Sequence, residues 1–305
     1  MGTRINAAAT AHHRGHVLGR GALHLSDAAA RTCLEHGHCD GADLDLLINT
    51  GIYRDHNLAE PALASIIQDD LGVNRGHPPR FGHHGTFSFD LSNGGCGVVT
   101  ALQLADGFVG CGTARRALIV AGDADPAPHT TRGFPFAPAG GAILLEHVPG
   151  DIGFIGFAIR TFPEAGMFES NLRWDEAAGL LHQGRNVVEI VESPQFAARC
   201  LDHGVTVARE LLASANLHSA DVELLIASQY PADFAAALAR RLELPEDRVP
   251  RIAPELERTH TAGPIAALEA AYASGRFVAA HHTLFVTAGA GPTIAAALYR
   301  SVHPA

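Results

Sequence analysis

Phe87-Ser88-Phe89-Asp90-Leu91-Ser92-Asn93-Gly94-Gly95-Cys96-Gly97 is the stretch from which the rest of this chain can be read. Its first five residues alternate apolar and polar, the period of a strand with one buried face. The next residues set Gly94, Gly95 and Gly97 around one cysteine. An apolar-periodic helix pattern follows at once through Val98, Val99, Leu102, Leu104, Ala105 and Phe108. Cys96 is therefore expected on a sharp strand-to-helix turn. Unpaired N–H groups and the positive end of the helix dipole meet at such a turn. Both favour a thiolate, the nucleophilic form of cysteine. Flanking glycines let a substrate carbonyl come close to the backbone. Most free cysteines are small core residues. The turn, the glycines and the helix start favour a nucleophile elbow with cysteine in the serine position. Cys33, Cys111 and Cys200 fall in helical patterns and read as structural.

Outward from that turn, the chain contains itself twice. Ala42-Asp43-Leu44-Asp45-Leu46-Leu47-Ile48 matches Ala220-Asp221-Val222-Glu223-Leu224-Leu225-Ile226, and both are apolar runs of the buried-strand kind. Helical patterns precede them (26–38 and 196–216) and follow them (from Glu60-Pro61 to Leu71 and from Pro231 to Leu242). Proline suits a first helical turn. Further on, Ala101-Leu102-Gln103 and the strand 117–122 match Ala267-Leu268-Glu269 and the strand 283–288, and this match sets an expected offset of 166 residues between the halves. Each half ends in another strand, 141–146 and 293–300, that can fold back as a hairpin. Alternating strands and helices predict α/β layers with a mostly parallel sheet, residues 1–150 forming one half and 151–305 the other. Shared alanine-rich composition is the alternative explanation of the likeness, but a match across helix and strand together favours a true repeat.

The offset maps Cys96 to the neighbourhood of Arg258-Thr259-His260-Thr261-Ala262-Gly263-Pro264, again just before a helix. Two helix starts related by a pseudo-twofold would face one cleft, one carrying Cys96 and the other His260. A neutral histidine beside a cysteine is a general base and an ion-pair partner. A helix cap or a solvated loop histidine is the alternative. In Ala288-Gly289-Ala290-Gly291-Pro292, the backbone at Ala290 and Gly291 could join the Cys96 amide as an oxyanion hole. A tight hairpin turn needing glycine explains the same residues.

The bulk composition narrows the function classes. The chain has 305 residues, 47% hydrophobic and 18% charged, which is ample for a large core and unlike a disordered chain. A net charge of -10 and no basic cluster argue against nucleic acid. No apolar run approaches the roughly 20 residues that span a bilayer. The first residues carry no apolar signal core, so a cytoplasmic protein is expected. All 22 basic residues are arginine, which excludes a lysine Schiff base, a P-loop and a lysine base. The five cysteines are scattered and odd in number, with no disulfide or zinc framework. His12-His13-x-x-His16 has ligand-like spacing but no carboxylate or thiol beside it, so no metal is expected.

The segment 88–97 resembles the nucleophile segment of the ketoacyl-ACP synthase III family. Leu118-Ile119-Val120-Ala121-Gly122-Asp123 and Gly289-Ala290-Gly291 resemble other landmarks of it. The resemblance runs from about Leu44 to Arg300. It implies a five-layered αβαβα thiolase fold built from two pseudo-twofold-related halves. It also implies acyl-CoA or acyl-carrier-protein substrates with no further cofactor. A homodimer or a heterodimer with a ketosynthase-like chain is expected, with strand 87–90 pairing across the twofold. Asn49-Thr50-Gly51-Ile52-Tyr53-Arg54-Asp55 with Glu60-Pro61-Ala62 resembles the head-to-head condensing enzymes of olefin biosynthesis. That likeness nominates Glu60 as a base reaching into the partner's site; a helix-dipole role is its alternative.

Departures from the family pattern bear on mechanism. The family places histidine in a Pro-His-Gln-Ala-Asn stretch, where this chain reads Ala227-Ser228-Gln229-Tyr230-Pro231. Ser228 therefore stands in the histidine position. The family's asparagine position holds His260. The elbow supports acyl uptake, but the enolate of a malonyl thioester needs two neutral donors, and Ser228 is a short, weak one. Losing one oxyanion-type donor typically costs about 2.7–4 kcal/mol of barrier. Asn93 and Gln229 are expected to contact substrate, Gln229 as a substitute donor. The expected activity is acyl transfer from a thioester through Cys96 to an acceptor nucleophile, in specialised metabolism. The alternatives are a decarboxylative or Claisen-type condensing enzyme, or a non-catalytic partner subunit of a heterodimeric ketosynthase.

Overall fold

The computed structural model describes residues 2–12, 21–57, 60–74, 85–127, 131–175 and 185–301. The first half runs β1 (Gly2–His12), α1 (Ala22–His36), β2 (Leu46–Asn49), α2 (Leu63–Leu71), β3 (Phe87–Asp90), α3 (Gly97–Gly110), β4 (Arg116–Asp123) and β5 (Ala139–Val148). The second runs β6 (Gly153–Thr161), β7 (Phe168–Asp175), β8 (Arg185–Glu192), α4 (Phe196–Ser214), β9 (Leu224–Ala227), α5 (Phe234–Arg241), α6 (Gly263–Ala273), α7 (Arg276–Ala279), β10 (His282–Gly289) and β11 (Thr293–Arg300).

Two sheets carry the repeat. One has the order β1-β5-β4-β2-β3 and the other β6-β11-β10-β9, so four strands correspond one to one. The sheets are mixed rather than mostly parallel. β2 runs parallel to β3 and β4, and β9 parallel to β10, while the hairpin returns β5 and β11 and the outer strands β1 and β6 run antiparallel. The single offset does not hold either. β2 and β9 are 178 residues apart and β4 and β10 are 166 apart, because the first half has a longer path from its parallel strand to the elbow. That extra path includes β3, which has no counterpart in the second sheet among the described residues.

Helices complete five layers. α1 and α2 cover the outer face of the first sheet, where Ala29, Ala30 and Ile67 meet Leu47, Leu118 and Leu144. α4 and α5 do the same for the second, with Val207, Leu211 and Leu238 against Leu225, Leu284 and Val286. α3 and α6 lie between the sheets, where Val98, Leu102, Ile265 and Leu268 pack on Ile119, Ile143, Ile226 and Phe285. A helix enclosed on all sides needs no polar face. α6 accordingly buries Ile265, Ala266, Ala267, Leu268 and Ala271.

Three local features differ from the sequence expectation. β1 was not legible, because its run Ala7-Ala8-Ala9 lacks the branched residues that mark strands. Those small, buried side chains let α1 and α6 come close to the strand. The helices expected to open at Pro61 and Pro231 begin at Leu63 and Phe234. For α2 the start is set by tertiary contact: the Asp90 carboxylate on β3 accepts from Leu63 N–H at 2.9 Å and Ala64 N–H at 2.8 Å. Arg54 pairs with the same carboxylate at 2.7 Å. The β7–β8 hairpin is an addition with no equivalent among the described residues of the first half. Val188 and Ile190 on it pack against Tyr53 and Phe136. Backbone hydrogen bonds tie it to Arg132 in the loop below, so it roofs the region next described.

Candidate active site

The elbow forms as one tight turn. Gly94–Cys96 make a single 3-10 turn, Cys96 is the N-cap of α3, and its N–H donates to Asn93 O at 3.0 Å. Close packing between the halves explains Gly95. A β-carbon there would lie 2.2 Å from Ala288 O at the end of β10. One on Gly97 would lie 3.1 Å from the Thr50 side chain. Gly95 thus admits the backbone of the other half and Gly97 the Thr50 side chain, while Gly94 has open space beside it and lies on the cavity wall.

The Cys96 side chain also departs from expectation. It has no exposed surface, and Sγ lies 3.2 Å from Thr293 O and 3.5 Å from Thr287 O. A thiol can donate to those carbonyls; a thiolate would face their lone pairs. Burial pushes the Cys96 thiol up to about 12, against the hydrogen bonds that lower it. The resting group is a neutral thiol aimed into the second sheet, not a helix-stabilised thiolate. Gly289 lies directly against it, for a β-carbon there would sit 3.5 Å from Sγ.

His260 lies in the loop before α6, its side chain 9% exposed, with Nδ1 3.2 Å from Asp123 Oδ2. Asp123 ends β4 and is wholly enclosed. It also accepts from Tyr53 N–H at 2.7 Å, Ile52 N–H at 2.9 Å and Thr261 N–H at 3.0 Å, and from the Thr261 hydroxyl. Burial pushes this carboxyl up, but the charge of His260 and the hydrogen bonds from His260, Thr261 and Tyr53 outweigh it and hold it below the usual carboxylate range. An ionised acceptor at Nδ1 fixes the proton on that nitrogen and leaves Nε2 as the basic one. Asp123 and its tie to Tyr53 were not assigned from sequence. The available signal was a lone carboxylate closing an otherwise apolar strand.

A cavity of about 270 Å³ lies beside this pair. Tyr53, Phe136, Phe168, Phe196, Tyr230 and His260 supply its rings; Gly94, Gly289 and Ala290 form part of its wall. The structure thus brings His260, Ala290 and the elbow glycine Gly94 to one space, with Cys96 behind Gly289. The remaining nominated residues are engaged elsewhere. Ser228 is 2% exposed, and its Oγ accepts from Ala288 N–H at 3.1 Å. Gln229 donates to Ala227 O at 3.0 Å. Asn93 donates to the Thr100 hydroxyl at 2.9 Å, inside the elbow. Gly291 O accepts from Glu164 N–H at 3.0 Å, beside the cavity rather than on its wall. Glu60 is exposed on the single chain. Among the described residues, no group of three or more histidines, cysteines or carboxylates could hold a metal ion. His13 and His16 lie outside the described residues. No helix among the described residues is long and apolar enough to cross a membrane.

This chain matches the sequence profiles of 3-oxoacyl-[acyl-carrier-protein] synthase III over residues 89–163 and of the C-terminal part of that synthase over residues 212–301. It is 28% identical to the beta-ketoacyl-[acyl-carrier-protein] synthase III of Novosphingobium aromaticivorans over 290 residues, 90% of this chain and 83% of that one. Among solved structures, it superposes on the priming beta-ketosynthase of the R1128 polyketide pathway with a TM-score of 0.77 at 22% identity, covering 99% of this chain and 97% of that one. It also superposes on a Xanthomonas campestris OleA variant solved with lauric acid and lauroyl-CoA, with a TM-score of 0.76 at 16% identity and 99% of each chain covered. Layers, strand order and these superpositions define a thiolase fold. The chain belongs to the beta-ketoacyl-[acyl-carrier-protein] synthase III family and is an enzyme of that family's acyl-transferring, condensing class.

Proposed function

We propose that this enzyme takes an acyl group from an acyl-CoA or acyl-carrier-protein thioester onto Cys96 and passes it to an acceptor nucleophile. The chemistry is balanced by one proton transfer at each step. The Cys96 Sγ–acyl bond forms as the donor C–S bond breaks, and the thiol proton passes by way of His260 Nε2 to the departing thiolate. In the second step His260 takes the acceptor's proton, and the Cys96 sulfur leaves and is reprotonated. Asp123 holds Nδ1–H and favours the transient imidazolium. The Cys96 amide already closes the elbow turn, so carbonyl binding would have to share it with Asn93 O and draw on the Gly289-Ala290 backbone.

The observation that carries this reading is Ser228. Its hydroxyl accepts the Ala288 amide, and the side chain is absent from the cavity wall. Accepting that bond leaves the hydroxyl proton free, but Ser228 is 2% exposed and stands outside the cavity wall, so it places no second donor beside a malonyl enolate there, whereas acyl transfer needs none. A condensing activity is the second reading, favoured by the names of the relatives. In that case Glu60 would act as a base only if a partner chain brought it to the cavity. A cytoplasmic setting, specialised metabolism and a homodimer or heterodimer belong to the same proposal. The test is intact mass after incubation with labelled acyl-CoA, with the Cys96→Ala protein as control. Acyl mass on the native chain only, and no carbon dioxide from an added malonyl thioester, is the expected result. Equal loading of the Cys96→Ala chain would remove Cys96 from the mechanism, and decarboxylation would favour the condensing reading.

A further inference from the structure

We propose that the acyl group this site selects is aromatic, an inference that rests on acyl transfer through Cys96 and assigns the class of its substrate. The cavity's volume, about 270 Å³, is just below the range of about 300–1,000 Å³ usual for small-molecule sites. It suits a compact group rather than a long chain. Its wall is built of rings. Phe136 stands 5.2 Å from Tyr53, 4.8 Å from Tyr230 and 4.4 Å from His260, between ring centroids. On the other side Phe168 and Phe196 are 5.2 Å apart.

These rings are fixed. Tyr53, Phe136 and Phe196 are 5%, 6% and 2% exposed. Phe134 packs edge-on against both Tyr53 and Phe136 from behind. Preset faces and edges reward a ligand that presents a ring, because aromatic pairs gain from edge-to-face and offset contact beyond the area they bury. A flexible straight chain gains only area and loses rotamer freedom on entering. The orientation fits the chemistry. Ser170 and Ala290 are exposed, while Gly289 is buried against Cys96 Sγ, so the Gly94-Gly289 side of the cavity lies nearest the thiol. A carbonyl at that side would leave its ring among Phe136, Phe168 and Phe196.

The experiment offers the full chain N-acetylcysteamine thioesters of benzoate, phenylacetate, hexanoate and octanoate, and follows acyl mass on Cys96 with time. Aryl thioesters are expected to load at least about ten-fold faster than hexanoate. The Phe136→Leu protein, which keeps apolar volume and loses the ring, should narrow that gap. Straight chains loading as fast as aryl groups would overturn the inference. Binding of free phenylacetate and hexanoate to the Cys96→Ala protein, read by calorimetry, separates the two proposals. If no thioester loads but phenylacetate binds the more tightly, acyl transfer falls and the aromatic preference stands. Equal binding of the two acids would overturn the preference whatever the chemistry.

Discussion

Asp123 sits at the end of β4 with five donors around it, drawn from two stretches of chain far apart in sequence. Ile52 and Tyr53 donate from one side, and His260 and Thr261 from the other. Asparagine keeps its shape but presents an amide N–H₂ where only acceptors fit. It would face the Thr261 donors or force His260 into the other tautomer. The Asp123→Asn protein is therefore expected to lose about 10²–10⁴-fold in transfer to the acceptor, the usual worth of a general base. Single-turnover measurement of acyl-enzyme decay checks this. Unchanged decay would reduce the pair to a structural one. The carboxyl titrates below its unfolded value of about 3.9, so its stabilisation is present above that pH and is lost as pH falls through the folded value. At pH 7 the variant should thus also be less stable, and the two proteins are best compared at a temperature where both are folded.

Between elements, the contact of α1 with α2 carries an opposite electrostatic arrangement. Asp27 on α1 faces Asp70 on α2. Burial, then the charge of Asp70 and a hydrogen bond with it, push the Asp27 carboxyl up to about 7, with Arg31 opposing. One proton shared between the two carboxyls removes their repulsion; losing it leaves like charges in contact. The folded state binds the extra proton between the unfolded value, about 3.9, and about 7, so stability falls as pH rises through that window. Asp27→Asn supplies a permanent donor. Its melting temperature should match the native protein's near pH 4 and exceed it at pH 8. Parallel pH profiles for the two proteins would show that the helices do not feel this pair.

For the whole molecule, assembly turns on β3. It is the last strand of its sheet, paired on one side to β2. Phe87 is 58% exposed, beside Phe89 and Phe108. An aromatic strand edge left open invites pairing and is usually covered. Two chains joined through β3 are the expected form in solution, and a lysine at the edge is a recognised way to block such pairing. Light scattering at micromolar concentration should give twice the single-chain mass for the native protein and the single-chain mass for Phe87→Lys. A native protein already at the single-chain mass would leave β3 as a free edge.

The sequence by itself determined the elements whose information is local. Apolar alternation at Phe87–Leu91, glycines at 94, 95 and 97 and helical periodicity from Val98 state a strand, a turn and a helix within a few neighbours of Cys96. The hairpins β4–β5 and β10–β11 were legible for the same reason, as was the likeness of the halves. Tertiary structure decided what depends on partners from elsewhere. His260 meets Asp123 across 137 residues, and the Ser228 hydroxyl is occupied by an amide 60 residues away. The strand β1 is held by burial rather than by propensity, since its alanines favour no strand on their own. The direction of the Cys96 thiol was decided in the same way. Nothing near it in sequence indicates that two carbonyls of the other half stand within 3.5 Å, or that the halves bury the thiol completely, and it is this burial that keeps it neutral.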